Sequence, residues 1–303
     1  MRKPGLLRRG DLIGIVAPAA AVDANQVDAG VRVLEQAGYR VQLGKAVFRQ
    51  DGYLAGPDTE RLADLHGMFL DPEVRAIIAA RGGYGSGRLL PHFDLGIARR
   101  HAKIFVGYSD LTFLMTHFME RAELVCFHGP MVSDMAQTAD GVHRLLTLLE
   151  GDRSGWNLRA AEIVQPGTAE GILVGGCLSV VVAMLGTPYD FETAGRILFL
   201  EDVNEKPYRI DRMLTQLRHA GKLDRVVGVA FGEMAGCSAD PNEAVTVRDV
   251  IARTFAAVSY PVVFGLPTGH GGGAATVPLG VRARLAGERL TLLESPLTEP
   301  RER

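Results

Sequence analysis

The chain has 303 residues, of which 47% are hydrophobic and 22% are charged, and its formal net charge is −2. This is the composition of an ordinary globular protein, and the near-neutral charge excludes the basic surface of a protein that binds nucleic acid or anionic lipid. Because one hydrophobic core rarely keeps growing beyond about 250–300 residues, we expect two domains.

Strand-like and helix-like patterns alternate along the first half of the chain. The predicted elements are strands at 12–17, 39–43, 74–80, 103–106 and 124–127, and helices at 26–38, 60–70, near Leu89, at 111–122 and at 142–149. Such alternation is typical of a mostly parallel sheet covered by helices on both faces. We therefore predict an α/β domain over residues 1–150.

The pattern changes at residues 151–167, which contain the only tryptophan, Trp156, and which we interpret as an irregular connection between domains. Beyond it, strands are predicted at 169–174, 197–201, 226–231, 262–264, 281–285 and 290–293, with helices at 178–185, at 210–220 and around Val250. Residues 168–303 are therefore predicted to form a second, β/α domain.

The three cysteines, Cys126, Cys177 and Cys237, are far apart in sequence and form no CxxC pair, which favours reduced thiols in a cytoplasmic protein. The basic first ten residues lack the apolar stretch of a signal peptide, and no apolar run approaches the roughly 20 residues of a membrane span. No two histidines have the spacing of metal ligands. We therefore expect a cytoplasmic protein without a metal site.

A serine occupies a predicted corner between a strand and a helix. The strand at 103–106 leads into Gly107-Tyr108-Ser109-Asp110, and a helix-like run follows. A serine at such a corner projects its hydroxyl from the carboxyl edge of the sheet, where open α/β folds carry their chemistry. Alternatively, Ser109 only caps the helix by accepting the N–H of Leu111 or Thr112.

Two later segments supply an acid and a base. Glu201 and His270 each follow an apolar run, and the order Ser109, Glu201, His270 is one that triad enzymes on α/β sheets use. Each residue alone also has a non-catalytic interpretation: Glu201 is an acid at the surface, and His270 lies in a turn. Together the three residues predict a serine hydrolase.

The glycine-rich segment Arg81-Gly82-Gly83-Tyr84-Gly85-Ser86-Gly87 follows the predicted strand at 74–80. A nucleotide-binding loop is disfavoured because the segment is not the first strand-to-helix turn and lacks the Lys-Ser/Thr ending of a P-loop. An interpretation that fits the serine is an oxyanion site formed by the N–H groups of Gly83 and Asp110. A simple tight turn is the alternative.

Six motifs in this order resemble those of the LD-carboxypeptidase family, which includes muramoyltetrapeptide carboxypeptidases and microcin C self-immunity peptidases. The motifs are Arg81 to Gly87 with Leu89-Leu90-Pro91, Gly107-Tyr108-Ser109-Asp110, Phe127-His128-Gly129-Pro130, Gly175-Gly176, Leu200-Glu201-Asp202-Val203 and Pro267-Thr268-Gly269-His270-Gly271. The resemblance runs from residue 13 almost to the C-terminus.

The resemblance implies a serine peptidase with Ser109 as nucleophile, His270 as base and Glu201 as orienting acid. It further implies a flavodoxin-like N-terminal domain, a C-terminal β/α domain of the swivelling type, a homodimer, and no metal or organic cofactor. The implied reaction releases the terminal D-alanine of a cytoplasmic muropeptide tetrapeptide, after the L-centre of a diamino acid.

Three further residues are candidates for substrate binding. Arg81 is a cation that suits the terminal carboxylate of a peptide, and Tyr84 lies in the same glycine-rich segment. Cys177 stands where the family pattern has asparagine, so an amide expected at the site is replaced by a thiol. The sequence favours a small buried side chain over a second nucleophile at Cys177, because no basic partner is near it in sequence.

Two other functions remain open on the sequence. One is a peptidase of the same fold that acts on an acyl-adenylate or a peptide antibiotic, which the position of Trp156 in the predicted connection disfavours. The other is a nucleotide- or sugar-binding module without covalent chemistry, which the segments carrying Ser109, Glu201 and His270 disfavour.

Overall fold

The computed structural model describes residues 1–154, 156–238, 244–271 and 275–298. The chain divides into two compact units. Unit 1 holds residues 1–153, 276–280 and the described residues from 295 onward, and unit 2 holds the described residues of 154–275 and 281–294.

The elements of the first half of the chain are β1 Leu12–Val16, α1 Ala24–Gln36, β2 Arg40–Leu43, α2 Asp58–Leu70, β3 Val74–Ala79, α3 Leu95–Arg100, β4 Ile104–Gly107, α4 Thr112–Ala122, β5 Cys126–His128 and α5 Ala139–Leu149, with short 3-10 helices at Ser86–His92, Ser109–Leu111 and Val132–Gln137. The second half contains β6 Asn157–Arg159, β7 Glu162–Gln165, β8 Thr168–Cys177, α6 Leu178–Ala183, β9 Arg196–Val203, α7 Pro207–His219, β10 Gly228–Ala235, α8 Val247–Thr254, β11 Val262–Phe264, β12 Val277–Leu279, β13 Arg282–Ala286 and β14 Arg289–Leu292.

Unit 1 is built on a six-stranded sheet in the order β12-β5-β4-β3-β1-β2. Strands β1 to β5 pair in parallel, and β12 adds to the edge antiparallel to β5. The order 2-1-3-4-5 of the parallel strands is the flavodoxin-like order, as predicted. In such sheets the carboxyl ends of the strands form one edge, and Ser109 follows β4 at that edge, one residue after the strand ends.

Strands β1 and β4 of unit 1 are buried on both faces, as expected for parallel strands that helices cover on both sides. All five residues of β1 and all four of β4 are buried. Phe69, Phe93, Phe105 and Phe118 form an aromatic cluster with ring centroids 4.8 to 6.4 Å apart. Burial of each such ring stabilises the fold by about 1.5–3 kcal/mol, so β4 is held firmly beneath the serine corner.

Unit 2 has an eight-stranded sheet in the order β6-β14-β13-β8-β9-β10-β11-β7. Its centre, β8-β9-β10-β11, is parallel, and the outer strands pair antiparallel. The prediction of two α/β domains with parallel-rich sheets is therefore confirmed. Glu201 lies near the carboxyl end of β9, a central strand in which the six residues from Ile197 to Asp202 are all buried.

The structure differs from the predicted elements at three places. Residues 151–167, expected to be irregular, contain β6 and β7, which are short edge strands with little apolar periodicity. Residues 277–279 form β12 in unit 1, although they lie within the segment predicted to belong to the second domain. Residues 95–100 form α3, which is too short for a periodic pattern to reveal it.

None of the described helices combines the length and the apolar character that crossing a bilayer requires.

Candidate active site

Ser109 occupies a strained corner between β4 and α4. Tyr108 is still extended, whereas Ser109 has φ of 60°, in the left-handed region that residues with a β-carbon rarely adopt. A serine that caps a helix has extended backbone and accepts a hydrogen bond on its side chain. Ser109 shows neither, since neither the 3-10 helix nor α4 has a side-chain cap, so the capping alternative is wrong.

The glycine-rich loop lies directly against Ser109. A β-carbon built on Gly82 would lie 3.0 Å from Ser109 Cβ and 3.2 Å from its Oγ, so the loop backbone passes close beside the hydroxyl and leaves no room for a side chain at Gly82. The Ala20 N–H donates to the Gly82 carbonyl over 3.1 Å. In a trans peptide the next N–H, that of Gly83, points the opposite way, and it donates to no backbone carbonyl in the described part of the chain.

Asp110 joins the serine corner to this loop. Its side chain is buried, and its Oδ2 accepts the Ser86 N–H over 2.8 Å, while the Ser86 hydroxyl donates to the Asp110 carbonyl over 2.7 Å. Burial raises the pKa of Asp110, and the hydrogen bonds from Ser86 oppose that shift. The Asp110 carboxylate is thus occupied in tying the corner to the loop, which leaves its backbone N–H as the group relevant to an oxyanion.

Asp134, which no sequence motif includes, supports the corner together with Tyr108 and His128. The Tyr108 hydroxyl donates to Asp134 Oδ2 over 2.9 Å, which anchors the residue before Ser109. The Tyr108 ring also lies 5.8 Å from the ring of His128, which is buried at the end of β5. Asp134 gave no signal in the sequence, because a tyrosine–aspartate contact across 26 positions leaves no local pattern.

In unit 2, Glu201 and His270 are hydrogen-bonded to each other. Glu201 Oε2 lies 2.6 Å from His270 Nδ1, the Glu201 side chain is fully buried, and 13% of the His270 side chain is exposed. Burial raises the pKa of Glu201, and the hydrogen bond with His270 opposes the shift. A carboxylate acceptor at Nδ1 places the proton of neutral imidazole there, which leaves Nε2 as the basic nitrogen. Glu201 is therefore not a surface acid.

Two glycines flank His270 because side chains would displace the loop. Gly269 has φ of 125°, and a β-carbon on it would lie 2.8 Å from Glu201 Oε2. A β-carbon on Gly271 would lie 1.6 Å from Glu233 Oε2, well inside van der Waals contact. The backbone N–H of Glu233 also donates to the Thr268 carbonyl over 2.8 Å, so β10 holds the loop that carries His270.

Cys177 is buried at the end of β8, paired in register with Glu201. Its Sγ lies 3.3 Å from Ser179 Oγ and 3.6 Å from Asp202 Oδ1. Burial, followed by the negative charges of Asp202 and Glu201, raises the pKa of the Cys177 thiol well above its usual range. A buried thiol held in its protonated form is a poor nucleophile, as the sequence analysis expected.

The two candidate substrate contacts of unit 1 are at the surface. Arg81 is exposed and its Nη1 donates to the Ala21 carbonyl over 2.8 Å, which leaves further guanidinium donors facing solvent. Tyr84 is 52% exposed and its ring meets that of Tyr53, itself 65% exposed, with centroids 5.6 Å apart. Tyr53 is thus a third exposed group beside the glycine loop, which its separation in sequence concealed.

We expect neither a chelator nor a thiol-alkylating agent to abolish activity. Among the described residues no His, Cys, Asp or Glu side chains are grouped so that they would hold a metal ion, and burial raises the pKa of Cys237 to about 11. The measurement is residual turnover after incubation with each reagent. Loss on chelation that added zinc reverses, or alkylation of Cys177 that substrate prevents, would contradict this expectation.

Comparison with known proteins places both halves of the chain in one family. The family models of the LD-carboxypeptidase N-terminal and C-terminal domains match residues 13–129 and 170–285. A probable murein peptide carboxypeptidase of Bacillus subtilis is 40% identical over 98% of this chain and 96% of that protein. A solved muramoyltetrapeptide carboxypeptidase from Oxalobacter formigenes is 29% identical, with a TM-score of 0.82 over 92% of this chain and 98% of that chain.

The fold is also shared with a more distant protein. The microcin C7 self-immunity protein MccF has a TM-score of 0.90 over 98% of this chain and all of its own, at 21% identity. That likeness concerns the fold, whereas the two domain matches extend over most of the sequence. The chain therefore belongs to the LD-carboxypeptidase family of serine peptidases.

Proposed function

We propose that the protein is an LD-carboxypeptidase that releases the terminal D-alanine from muropeptide tetrapeptides, with Ser109, His270 and Glu201 as its triad. The observation that carries the proposal is the buried Glu201 carboxylate bound to His270 Nδ1 over 2.6 Å. A buried acid that orients an imidazole is the arrangement that makes Nε2 a general base. The strained backbone of Ser109 supports the assignment of the nucleophile.

In the proposed mechanism, His270 Nε2 takes the hydroxyl proton as Ser109 Oγ attacks the carbonyl carbon before the D-alanine. Glu201 stabilises the imidazolium that forms. The imidazolium then gives its proton to the departing amine of D-alanine, which leaves an ester on Ser109. A water molecule, deprotonated by the same nitrogen, attacks the ester and regenerates the serine. The proposal requires Ser109 Oγ and His270 Nε2 to come within about 2.6–3.2 Å.

The N–H groups of Gly83 and Asp110 are the proposed donors to the oxyanion. The support is the close approach of Gly82 to Ser109 and the orientation of the Gly83 N–H, which points away from Ala20 because the Gly82 carbonyl accepts the Ala20 N–H. Donors fixed before the reaction stabilise the developing charge without reorganisation, and each is worth roughly 10²–10³-fold in kcat. Hydrogen bonds fix the neighbouring backbone, from Ala20 to Gly82 on one side and between Ser86 and Asp110 on the other, so the two N–H groups fit that role.

Arg81 and Tyr84 are the proposed contacts for the part of the substrate that is not cleaved. The unengaged guanidinium donors of Arg81 suit the carboxylate of the terminal residue, since arginine binds carboxylates through paired hydrogen bonds. Tyr84 offers an exposed ring beside the same loop. Because the Cys177 thiol is buried, we propose that Cys177 affects the substrate site only through Glu201, the residue it pairs with between β8 and β9.

A muropeptide assay tests the function. The protein is incubated with tri-, tetra- and pentapeptide muropeptides and the released amino acid is identified by mass spectrometry. We expect release of alanine from the tetrapeptide alone, because cleavage requires an L-centre before a terminal D-residue. Release from the pentapeptide, or none from any of the three, would contradict the proposal. A peptidyl-adenylate analogue in the same assay tests the antibiotic peptidase, which the likeness to MccF supports.

We further propose that the enzyme acts in the cytoplasm as a homodimer. The support for the compartment is that Cys126, Cys177 and Cys237 are all free thiols, which persist in a reducing environment. The dimer rests on the family resemblance. Light scattering tests it, since a monomer would have a mass of 32.6 kDa. Fractionation of cells tests the compartment.

A further inference from the structure

Arg61 is a buried arginine beneath the loop that carries the proposed oxyanion donor. It lies in α2, on the apolar face that also presents Leu65 and Phe69 to the core, and its side chain is 0% exposed. A buried guanidinium is costly unless hydrogen bonds satisfy its donors. The burial of Arg61 therefore indicates that its guanidinium has specific hydrogen-bond partners.

The Arg61 guanidinium binds three separate stretches of backbone. Its Nη1 donates to the Gly85 carbonyl over 3.0 Å and also to the Pro18 carbonyl, and its Nε donates to the Gly56 carbonyl over 3.2 Å. Its Nη2 donates to the Asp58 carboxylate. The planar fork of an arginine reaches several acceptors in fixed directions, which the single ammonium of a lysine does not.

These contacts hold the glycine loop at two points. Gly85 is bound directly, and it is so close that a β-carbon on it would lie 3.1 Å from Arg61 Nη1. Gly82 is bound indirectly, because its carbonyl accepts the Ala20 N–H, and Ala20 follows two residues after Pro18. The Gly82–Gly83 peptide lies between these two points. The position of the Arg61 guanidinium therefore sets the direction in which the Gly83 N–H points.

We propose that Arg61 is a positioning residue that sets the direction of the Gly83 N–H towards the oxyanion. The inference rests on the proposed function. Arg61 touches no reacting atom and acts through Gly85 on one side and Pro18 and Ala20 on the other. Its effect therefore falls on the transition state, in which the oxyanion is formed, and not on binding of the substrate in its ground state.

The test compares Arg61→Met with Arg88→Met as a matched control. Arg88 Nε binds the same Asp58 carboxylate over 2.9 Å, but its side chain is 47% exposed and none of the described hydrogen bonds joins its guanidinium to a backbone carbonyl. We measure kcat and KM on a muropeptide tetrapeptide, the melting temperature, and inhibition by a peptidyl boronate, whose tetrahedral adduct with serine places an oxygen in the oxyanion position.

We expect Arg61→Met to lower kcat by about 10²-fold, comparable to the loss of one oxyanion donor, with KM changed less than about twofold. The affinity for the boronate falls by a similar factor. Arg61→Lys, which keeps the charge and fewer donors, gives an intermediate kcat. Arg88→Met keeps kcat, KM and the boronate affinity within about twofold of the wild type and leaves the melting temperature nearly unchanged.

A role in stability alone predicts a different result. If folded Arg61→Met has a lower melting temperature but the kcat and boronate affinity of the wild type, the proposal is wrong. If Arg61→Met does not fold, Asp58→Asn decides by the same criteria, since it leaves the arginine in place and removes the acid that orients it. A wild-type protein that cleaves no tetrapeptide would refute the proposed function instead, so the two failures are distinguishable.

Discussion

Replacing Ser109 by alanine is expected to lower kcat by about 10⁴-fold or more, as removal of the nucleophile from a serine triad does. The change removes the only atom of the side chain that can attack the carbonyl, while the backbone of the corner and the Tyr108–Asp134 hydrogen bond remain. The measurement is alanine released from a tetrapeptide, with circular dichroism to verify folding. Retention of more than about a tenth of the activity would exclude Ser109 as the nucleophile.

The matched control is Ser259→Ala, a serine that is exposed at the surface of unit 2. The activity of Ser259→Ala should equal that of the wild type.

A third variant, Ser109→Gly, tests the backbone strain at the corner. Left-handed backbone costs residues with a β-carbon about 1–2 kcal/mol, and the greater freedom of unfolded glycine offsets up to about 1 kcal/mol. We therefore expect Ser109→Gly to be inactive but at least as stable as Ser109→Ala in urea denaturation.

The second large effect is expected for Glu201→Gln. A glutamine fills the same space, yet its amide cannot stabilise an imidazolium and can present an N–H donor to His270 Nδ1, which favours the wrong tautomer. Loss of the acid from a serine–histidine–acid arrangement lowers kcat by about 10⁴-fold. The control is Glu170→Gln on the surface of unit 2, where Glu170 pairs with Arg282 and Arg284. Near-normal turnover of Glu201→Gln would exclude Glu201 as the orienting acid.

For the same variant we expect a specific pH dependence of stability. Burial raises the pKa of Glu201 above its ordinary value of 4.5, so the folded protein binds this proton more tightly than the unfolded chain. The contribution of Glu201 to the free energy of unfolding therefore falls as the pH rises above 4.5. Glutamine carries no such proton. The stability of Glu201→Gln relative to the wild type should thus increase between pH 4 and pH 7, and an opposite trend would mean that pairing with His270 outweighs burial.

Prediction from sequence succeeded where the signal was local. The parallel strands β1, β3, β4 and β9 were evident because each is a short apolar run followed by a turn or a helix. The serine corner was evident because a single segment contains the strand, the glycine and the serine. These features depend on residues within about ten positions of one another, whose periodicity and turn chemistry the chain displays directly.

Residues joined over long distances in sequence needed the structure. The hydrogen bond between Glu201 and His270 spans 69 positions, and the sequence indicates it only indirectly, through the order of Ser109, Glu201 and His270 and through the family pattern. The sequence shows Arg61 as an arginine four residues before Leu65 on an apolar helix face, but that pattern does not identify its partners. Its acceptors are backbone carbonyls of Pro18, Gly56 and Gly85, which every residue possesses and no sequence pattern distinguishes.

The sequence by itself determined the two α/β domains, the corner at Ser109 and the family, because periodicity, glycine placement and ordered motifs are properties of short segments. The tertiary structure decided that 277–279 complete the sheet of unit 1, that Glu201 is buried against His270, and that Arg61 underlies the glycine loop. Each of these depends on which distant segments pack together. Burial and hydrogen bonding between them are set by the whole core, and not by the residues that adjoin them in the chain.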